Sequence, residues 1–198
     1  MSDQQVVKVV LIGDSGVGKS CIANRFTYDK FDNTSRSTMG AMFISKALEF
    51  PEYNMTVRFQ IWDTAGQERY RSLALMHYRD ADAALLVYDI SNRKSFNGIS
   101  TWLKELNEKA PKNILTYFVA NKVDLVENED VSLEEGRKLA EDRNAVFKMT
   151  SAKDNTGIRD MFASIPVSLG LVAKEKITES SKSKASKGSN IVEKKERQ

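Results

Sequence analysis

A chain of 198 residues, 41% hydrophobic and 29% charged, has room for one domain with a buried core plus a tail, and none for a second catalytic domain. Its single cysteine, Cys21, excludes an intrachain disulfide and fits a reducing, cytoplasmic compartment. The net charge is +3, but eight Lys/Arg against four Glu between Leu171 and Gln198 put a surplus of 4 in the tail and leave the body at −1, so no basic nucleic-acid-binding face is expected.

Residues Met1 to Gln5 are polar and lack a basic segment followed by an apolar one, so no secretory leader is expected. No apolar run reaches the about 18 residues that cross a membrane. The run Val6–Ile12 predicts a buried strand, and Lys19–Tyr28 a helix. Between them stands Gly13-Asp14-Ser15-Gly16-Val17-Gly18-Lys19-Ser20, the pattern G-x-x-x-x-G-K-[ST] in the strand–loop–helix setting it requires. Small residues let backbone N–H groups from Ser15 through Gly16, Val17 and Gly18 to Cys21 close around a polyphosphate, and the helix N-terminus adds partial positive charge. Lys19 is expected to neutralise the β- and γ-phosphates, and the Ser20 hydroxyl to ligate Mg²⁺. Cys21 is expected to offer its N–H to a phosphate, with a reactive thiol as the alternative.

Met42–Phe50 and Met55–Asp63 alternate in character around Pro51-Glu52-Tyr53-Asn54, which predicts an antiparallel hairpin. The third strand closes on Trp62-Asp63-Thr64-Ala65-Gly66-Gln67-Glu68. Here Asp63 is placed to hold a water on Mg²⁺, Gly66 to bring its N–H to a terminal phosphate, and Gln67, with a donor and an acceptor, to orient an attacking water. A plain Asp-Thr-Ala-Gly turn is the alternative reading. Ala83–Asp89 predicts a strand, Ser95–Lys109 a helix and Leu115–Asn121 a strand. Asn121-Lys122-Val123-Asp124 follows. The Asp124 carboxylate can accept from both N1–H and the 2-amino group of guanine, a donor pair that adenine lacks; Asn121 can reach N7 and the Lys122 stem can cover the ring.

Leu133–Arg143 predicts a helix, Val146–Thr150 a strand, and Ile158 to about Lys174 the last helix. Ser151-Ala152-Lys153, at the end of the sixth strand, can offer a backbone N–H to the guanine oxygen. The segment Ser180–Asn190 is almost wholly Ser, Lys, Ala and Gly and cannot offset its ordering entropy. The division expected is therefore a domain over 1–177 and a disordered basic tail over 178–198. Alternating strands and helices predict an α/β fold: a six-stranded, mostly parallel sheet with one antiparallel hairpin strand, helices on both faces, and the loops after the strands along one edge.

These four strings resemble those of the small Ras-type GTPases over residues 6 to about 175. Phe59–Glu68, Arg69-Tyr70-Arg71-Ser72-Leu73, Tyr78-Arg79 and Tyr88-Asp89-Ile90-Ser91 are most similar to the Rab branch. Met39-Gly40-Ala41-Met42-Phe43 and Ser72-Leu73-Ala74 lean toward endosomal Rabs. The resemblance implies the small G-domain form of the phosphate-loop NTPase fold, GTP/GDP and Mg²⁺ as ligands, and slow hydrolysis, since no arginine finger can be assigned in the chain. It makes Thr38 a Mg²⁺ ligand and γ-phosphate sensor, Gln67, Lys19 and Thr38 the catalytic set, and Phe31 an edge-on support for guanine (core packing is its alternative). Effectors, an exchange factor and an activating protein are expected on residues 38–43 and 62–78, the chain acting as a monomer on the cytosolic face of endomembranes. Met39, Met42 and His77 depart from the usual Rab residues, and His77 is expected half-exposed on the effector face. The tail has no cysteine for prenylation, so either the natural chain runs on to one or the switch is not prenylated; the basic tail alone gives only weak attraction to anionic lipid. Two rivals stand beside this reading: a metabolic phosphate-loop ATPase or kinase, and a scaffold that holds nucleotide without hydrolysing it.

Overall fold

Apolar residues at successive positions of a strand point to opposite faces, so a strand such as Val6–Ile12 needs a cover on both sides. In the computed structural model, which describes residues 3–32, 38–66 and 76–172, both covers are present. Among these residues six strands form one sheet, β1 (Asp3–Ile12), β2 (Ala41–Phe50), β3 (Met55–Thr64), β4 (Ala83–Asp89), β5 (Leu115–Asn121) and β6 (Val146–Thr150), in the order β2-β3-β1-β4-β5-β6. The β2–β3 pair is antiparallel and the other four are parallel, as expected from the sequence. Val7, Val9 and Leu11 of β1, with Phe59, Leu85 and Val119, meet helices α1 (Lys19–Tyr28) and α4 (Ile158–Ser168). Val10 and Ile12, with Leu86, Tyr88 and Phe118, meet α2 (Arg93–Lys109) and α3 (Leu133–Asp142).

The first core is tied by three rings. Phe26 of α1 stacks on Phe162 of α4 at 3.8 Å, and Phe59 of β3 sits edge-on to both at 5.6 and 5.7 Å. Phe162 is fully buried. Phe162→Ala is expected to destabilise the fold by about 3–5 kcal/mol, lost transfer energy plus an unfilled cavity, and urea unfolding would show it as a lower midpoint with unchanged slope; a loss below about 1 kcal/mol would contradict this packing.

Element boundaries differ from expectation by a single residue at the start of β2 and the ends of β3 and α3, and by more in three places. β1 starts at Asp3, three residues before its apolar run, because β3 supplies backbone partners from Met55 onward. Helix α2 starts at Arg93 rather than Ser95: the Asn92 side chain caps it by accepting from Ser95 N at 3.3 Å, while the Ser95 hydroxyl turns back to accept from Asp89 N at 3.0 Å. Helix α4 ends at Ser168, not near Lys174. Gly170, at φ +74°, lets Leu171 N–H bond to Pro166 O (2.9 Å) and its own N–H to Val167 O (3.0 Å), a Schellman closure that apolar periodicity does not reveal. Lys174 and the tail 178–198 lie outside the described residues, as does Gln67.

The parallel strands β1, β3, β4, β5 and β6 all end at one edge, and antiparallel β2 begins there. The chain runs from β1 to β2 and β3 on one side, then crosses to β4 on the other, so the loops after β1, β3, β5 and β6 meet where the strand order reverses. In open α/β sheets that crevice is where ligands bind.

Candidate functional site

The loop after β1 turns through left-handed glycines into α1, with Gly18 (φ +100°) directly before the helix. The Lys19 side chain folds back over it and donates to Gly13 O and Asp14 O, each at 2.8 Å. Burial pulls the Lys19 ammonium down to about 8, against the opposing pull of the Asp63 and Asp14 carboxylates. Two backbone carbonyls thus hold a positive charge at the wall of a cleft, where it can meet an anion.

Beside it, Ser20 Oγ lies 2.7 Å from Thr38 Oγ1 and donates to Asp63 Oδ2. Asp63 is buried, its carboxyl is pushed above the usual carboxylate range chiefly by that burial, and its Oδ1 has no hydrogen-bond partner among the described residues. Two hydroxyls and a carboxylate with an orphaned oxygen are an all-oxygen set that fits Mg²⁺, a hard cation that keeps part of its water shell. Thr64 Oγ1 donates to Leu11 O (2.7 Å), tying the end of β3 to β1. Ala65 N–H bonds to Gly40 O at 2.7 Å, which brings the segment around Thr38 alongside. Gly66 lies against the phosphate loop, where a Cβ would fall 2.3 Å from the Asp14 carbonyl carbon.

At the other end, Asn121 is buried and donates through Nδ2 to Val17 O (2.8 Å), while its Oδ1 accepts from Thr150 Oγ1 (3.0 Å). One side chain therefore joins the loop after β1 to the ends of β5 and β6. Lys122 takes a left-handed φ of +65° and its Nζ pairs with Asp89 Oδ2 at 2.6 Å. Asp124 Oδ1 accepts from Ser151 Oγ at 2.6 Å, and Lys153 Nζ stands 3.8 Å from its other oxygen.

These two ends line one cleft of about 640 Å³. Of the residues expected at the site, Ser15, Gly16, Gly18, Lys19, Ser20, Cys21, Phe31, Thr38, Gly66, Asn121, Lys122, Asp124, Ala152 and Lys153 form its wall. Asp63 and Ser151 sit behind the wall, bonded to Ser20 and Asp124, and Val17 is buried with its carbonyl on Asn121. Burial pushes the Cys21 thiol up, which disfavours the reactive thiolate. Gln67 falls outside the described residues.

Several residues that meet the cleft or brace it were not singled out from sequence. Asp32 and Leu125 line it; the position of Leu125 next to Asp124 was the available signal. Asp14 Oδ1 accepts from the buried Trp102 indole at 2.8 Å, and Asp89 and Thr150 brace Lys122 and Asn121. Those three contacts join residues far apart in the sequence and left no local mark.

Away from the cleft, Met39, Met42, Phe43 and Met76 are exposed apolar side chains. Phe43 lies 5.1 Å from Trp62, and the half-buried His77 stacks on Trp62 at 3.9 Å. Burial and the nearby Lys8 ammonium lower the His77 pKa, with Asp80 opposing them, which favours the neutral ring. No described helix is long and apolar enough to cross a membrane.

A doubly covered, mostly parallel sheet with a G-x-x-x-x-G-K-S loop at its switch point and Asn-Lys-x-Asp after β5 defines the small GTPase class of phosphate-loop proteins. The Ras family model matches residues 8–169, and the chain belongs to that family. It is similar to Ras-related protein RABA2b of Arabidopsis thaliana, 48% identical over 158 residues, 80% of this chain and 73% of that protein. Ras-related proteins RGP2 and RGP1 of Oryza sativa subsp. japonica are 47% and 41% identical, covering 80% and 94% of this chain and 72% and 85% of theirs. The chain is a small GTPase of Rab type: it hydrolyses GTP, and the family to which it belongs binds guanine nucleotide with Mg²⁺ and works as a switch.

Proposed function

We propose that the cleft holds GTP and GDP with the base against Asp124 and the phosphates over Lys19, and that hydrolysis times the binding of effectors through residues 38–43 and 62–78. The supporting observation is the cleft itself, which carries a buried cation on the loop after β1 at one end and a half-buried carboxylate at the other. In this reading Asp124 accepts from N1–H and the 2-amino group of guanine. Backbone N–H groups of Ser15 to Cys21 and the Lys19 ammonium hold the phosphates, and Phe31 and the Lys122 stem flank the base. Ser20, Thr38 and Asp63 would hold Mg²⁺, directly or through water, and when bound it neutralises charge on the phosphate oxygens. Gln67 orients water for in-line attack. The new bond joins the water oxygen to the γ-phosphorus, the bond from that phosphorus to the β–γ bridging oxygen breaks, and the water's proton ends on the departing phosphate. Loss of the γ-phosphate releases Thr38 and Gly66, and with them the surface around Phe43, Trp62 and His77 that effectors read.

The finer roles are proposals of the same kind: a domain over 1–177 with the basic segment 178–198 as its tail, partners in an exchange factor and an activating protein, and work in vesicle traffic on the cytosolic face of endomembranes, endosomes in particular. Rab-type membership and the exposed apolar surface support them.

Single-turnover hydrolysis tests the core of the reading. Wild-type protein is expected to convert bound GTP slowly, faster with an activating protein, and to bind ATP far more weakly. Gln67→Leu is expected to slow conversion by about tenfold or more with little change in affinity. Equal binding of ATP would favour the metabolic ATPase, and no turnover in wild type, even with activators, would favour the scaffold.

A further inference from the structure

We infer that Arg25 is a positioning residue for base recognition, a guanidinium that grips the turn after β6 from behind while staying outside the cleft wall. The inference rests on the proposed nucleotide site and on the expectation that a backbone N–H of Ser151-Ala152-Lys153 meets the guanine oxygen there. Arg25 Nε donates to Ala152 O at 2.8 Å and Nη2 to Lys153 O at 2.9 Å. Its Nη1 donates to Asp29 O at 3.0 Å and pairs with Asp29 Oδ1 at 3.1 Å. Asp29 Oδ1 also accepts from Asn155 Nδ2 at 3.2 Å, a second strap on the same turn. The Arg25 side chain is 14% exposed against 77% for Asp29, and the bond to Ala152 O is the one most sheltered from water.

The turn shapes itself but does not place itself. Ser151 N–H bonds to Thr156 O, and Asp154 Oδ1 accepts from Thr156 N–H and Oγ1, all within six residues. Contacts to the rest of the protein decide where that unit sits. A trans peptide directs its N–H opposite its C=O, so anchoring the Ala152 carbonyl on Arg25 turns the Lys153 N–H away from Arg25. Ala152 and Lys153 line the cleft and Arg25 does not. Arg25 lies six residues after Lys19 on α1, a rise of about 9 Å. One rigid helix therefore carries the phosphate-facing lysine at its start and the clamp on the base-reading turn near its end. A lysine cannot replace the clamp fully, because it lacks the planar fork that reaches both carbonyls at once.

Release of a fluorescent GDP analogue, single-turnover GTP hydrolysis, and competition by GTP, ITP and ATP test this on the full chain with Mg²⁺ present. Arg25→Gln is expected to speed release roughly tenfold and Arg25→Lys less, about threefold. Hydrolysis of bound GTP should stay within about twofold, because the phosphate end is untouched. Preference for GTP over ATP should fall. Preference for GTP over ITP should hold, since ITP lacks only the 2-amino group that Asp124 reads. Release within about twofold of wild type in both variants would overturn the inference, and so would hydrolysis falling in step with faster release, the mark of general loosening. Should Arg25→Gln not fold, Arg25→Lys is judged by the same readings. A wild type without preference for guanosine over adenosine overturns the nucleotide reading itself, a different failure.

Discussion

Asp124→Ala is expected to weaken GDP and GTP binding by about a thousandfold or more, and Asp124→Asn to move preference from guanosine toward xanthosine nucleotides. The carboxylate oxygens cannot do without donors: Ser151 Oγ supplies one to Oδ1, and the base is expected to supply the others. Guanine offers N1–H and a 2-amino group side by side. Adenine in place of guanine leaves a half-buried carboxylate short of partners, the arrangement that rejects an analogue most strongly. Xanthine carries a carbonyl where guanine has the amino group, and an asparagine amide presents one donor and one acceptor to match it. Equilibrium competition with GDP, XDP and ADP on wild type and both variants measures the outcome. Undiminished GDP binding by Asp124→Ala, or a wild type indifferent to the base, would remove Asp124 from recognition. The two variants also separate recognition from stability: a merely structural Asp124 would lose affinity for every base alike in both, with no gain for xanthosine.

What could be read in the sequence follows from how local each determinant is. The phosphate loop and the run Asn121–Asp124 are contiguous strings whose chemistry needs adjacent residues, so Lys19, Ser20 and Asp124 were identifiable before any fold was known, and the structure brings them to one cleft. Strands alternating with helices, Ala83–Asp89 and Leu115–Asn121 among them, implied a sheet covered on both faces, and each face has its own apolar set. Long-range bracing was not legible. Trp102 on Asp14 and Arg25 on Ala152 join residues 88 and 127 positions apart. Such contacts depend on which helix crosses which strand end, and nothing in the flanking residues records that. Asn121 shows both kinds at once. Its place in the string was plain, and reach to N7 of the base was the expected role. In the structure both ends of its amide are engaged inward, to Val17 and Thr150, so its demonstrable work is to tie the loop after β1 to the ends of β5 and β6. The end of α4 was missed for a related reason: apolar residues continue through Leu169 and Leu171 to Val172, while the stop is set by the backbone at Gly170.

The bracing role of Asn121 makes Gly18→Ala the second large effect, a stability loss of about 2–5 kcal/mol that comes from two separable sources. The first is the backbone. Gly18 sits at φ +100°, where an L side chain is strained by about 1–2 kcal/mol. The second is space, because a methyl group there would fall 2.3 Å from Asn121 Nδ2. A flexible side chain could yield cheaply, but Asn121 is 1% exposed and bonded at both ends. Moving it breaks the link to Val17 O or to Thr150, each bond being worth about 1 kcal/mol and more when a buried group is left unpaired. Gly16→Ala supplies the comparison, since Gly16 also has positive φ (+81°) but no described residue within 4 Å of an added Cβ. It should cost the backbone part alone. In an Asn121→Ala background the added methyl at position 18 has room, so Gly18→Ala should likewise fall back to about 1–2 kcal/mol, leaving a coupling of at least about 1 kcal/mol between the two positions. Thermal unfolding of the proteins stripped of nucleotide and Mg²⁺, so that no change in ligand affinity enters, measures all four against wild type, with shifts on the order of 10 °C expected for Gly18→Ala. Equal losses for Gly16→Ala and Gly18→Ala, or no coupling to Asn121, would mean that the loop after β1 is held by its own backbone and not by the strand ends it leans on.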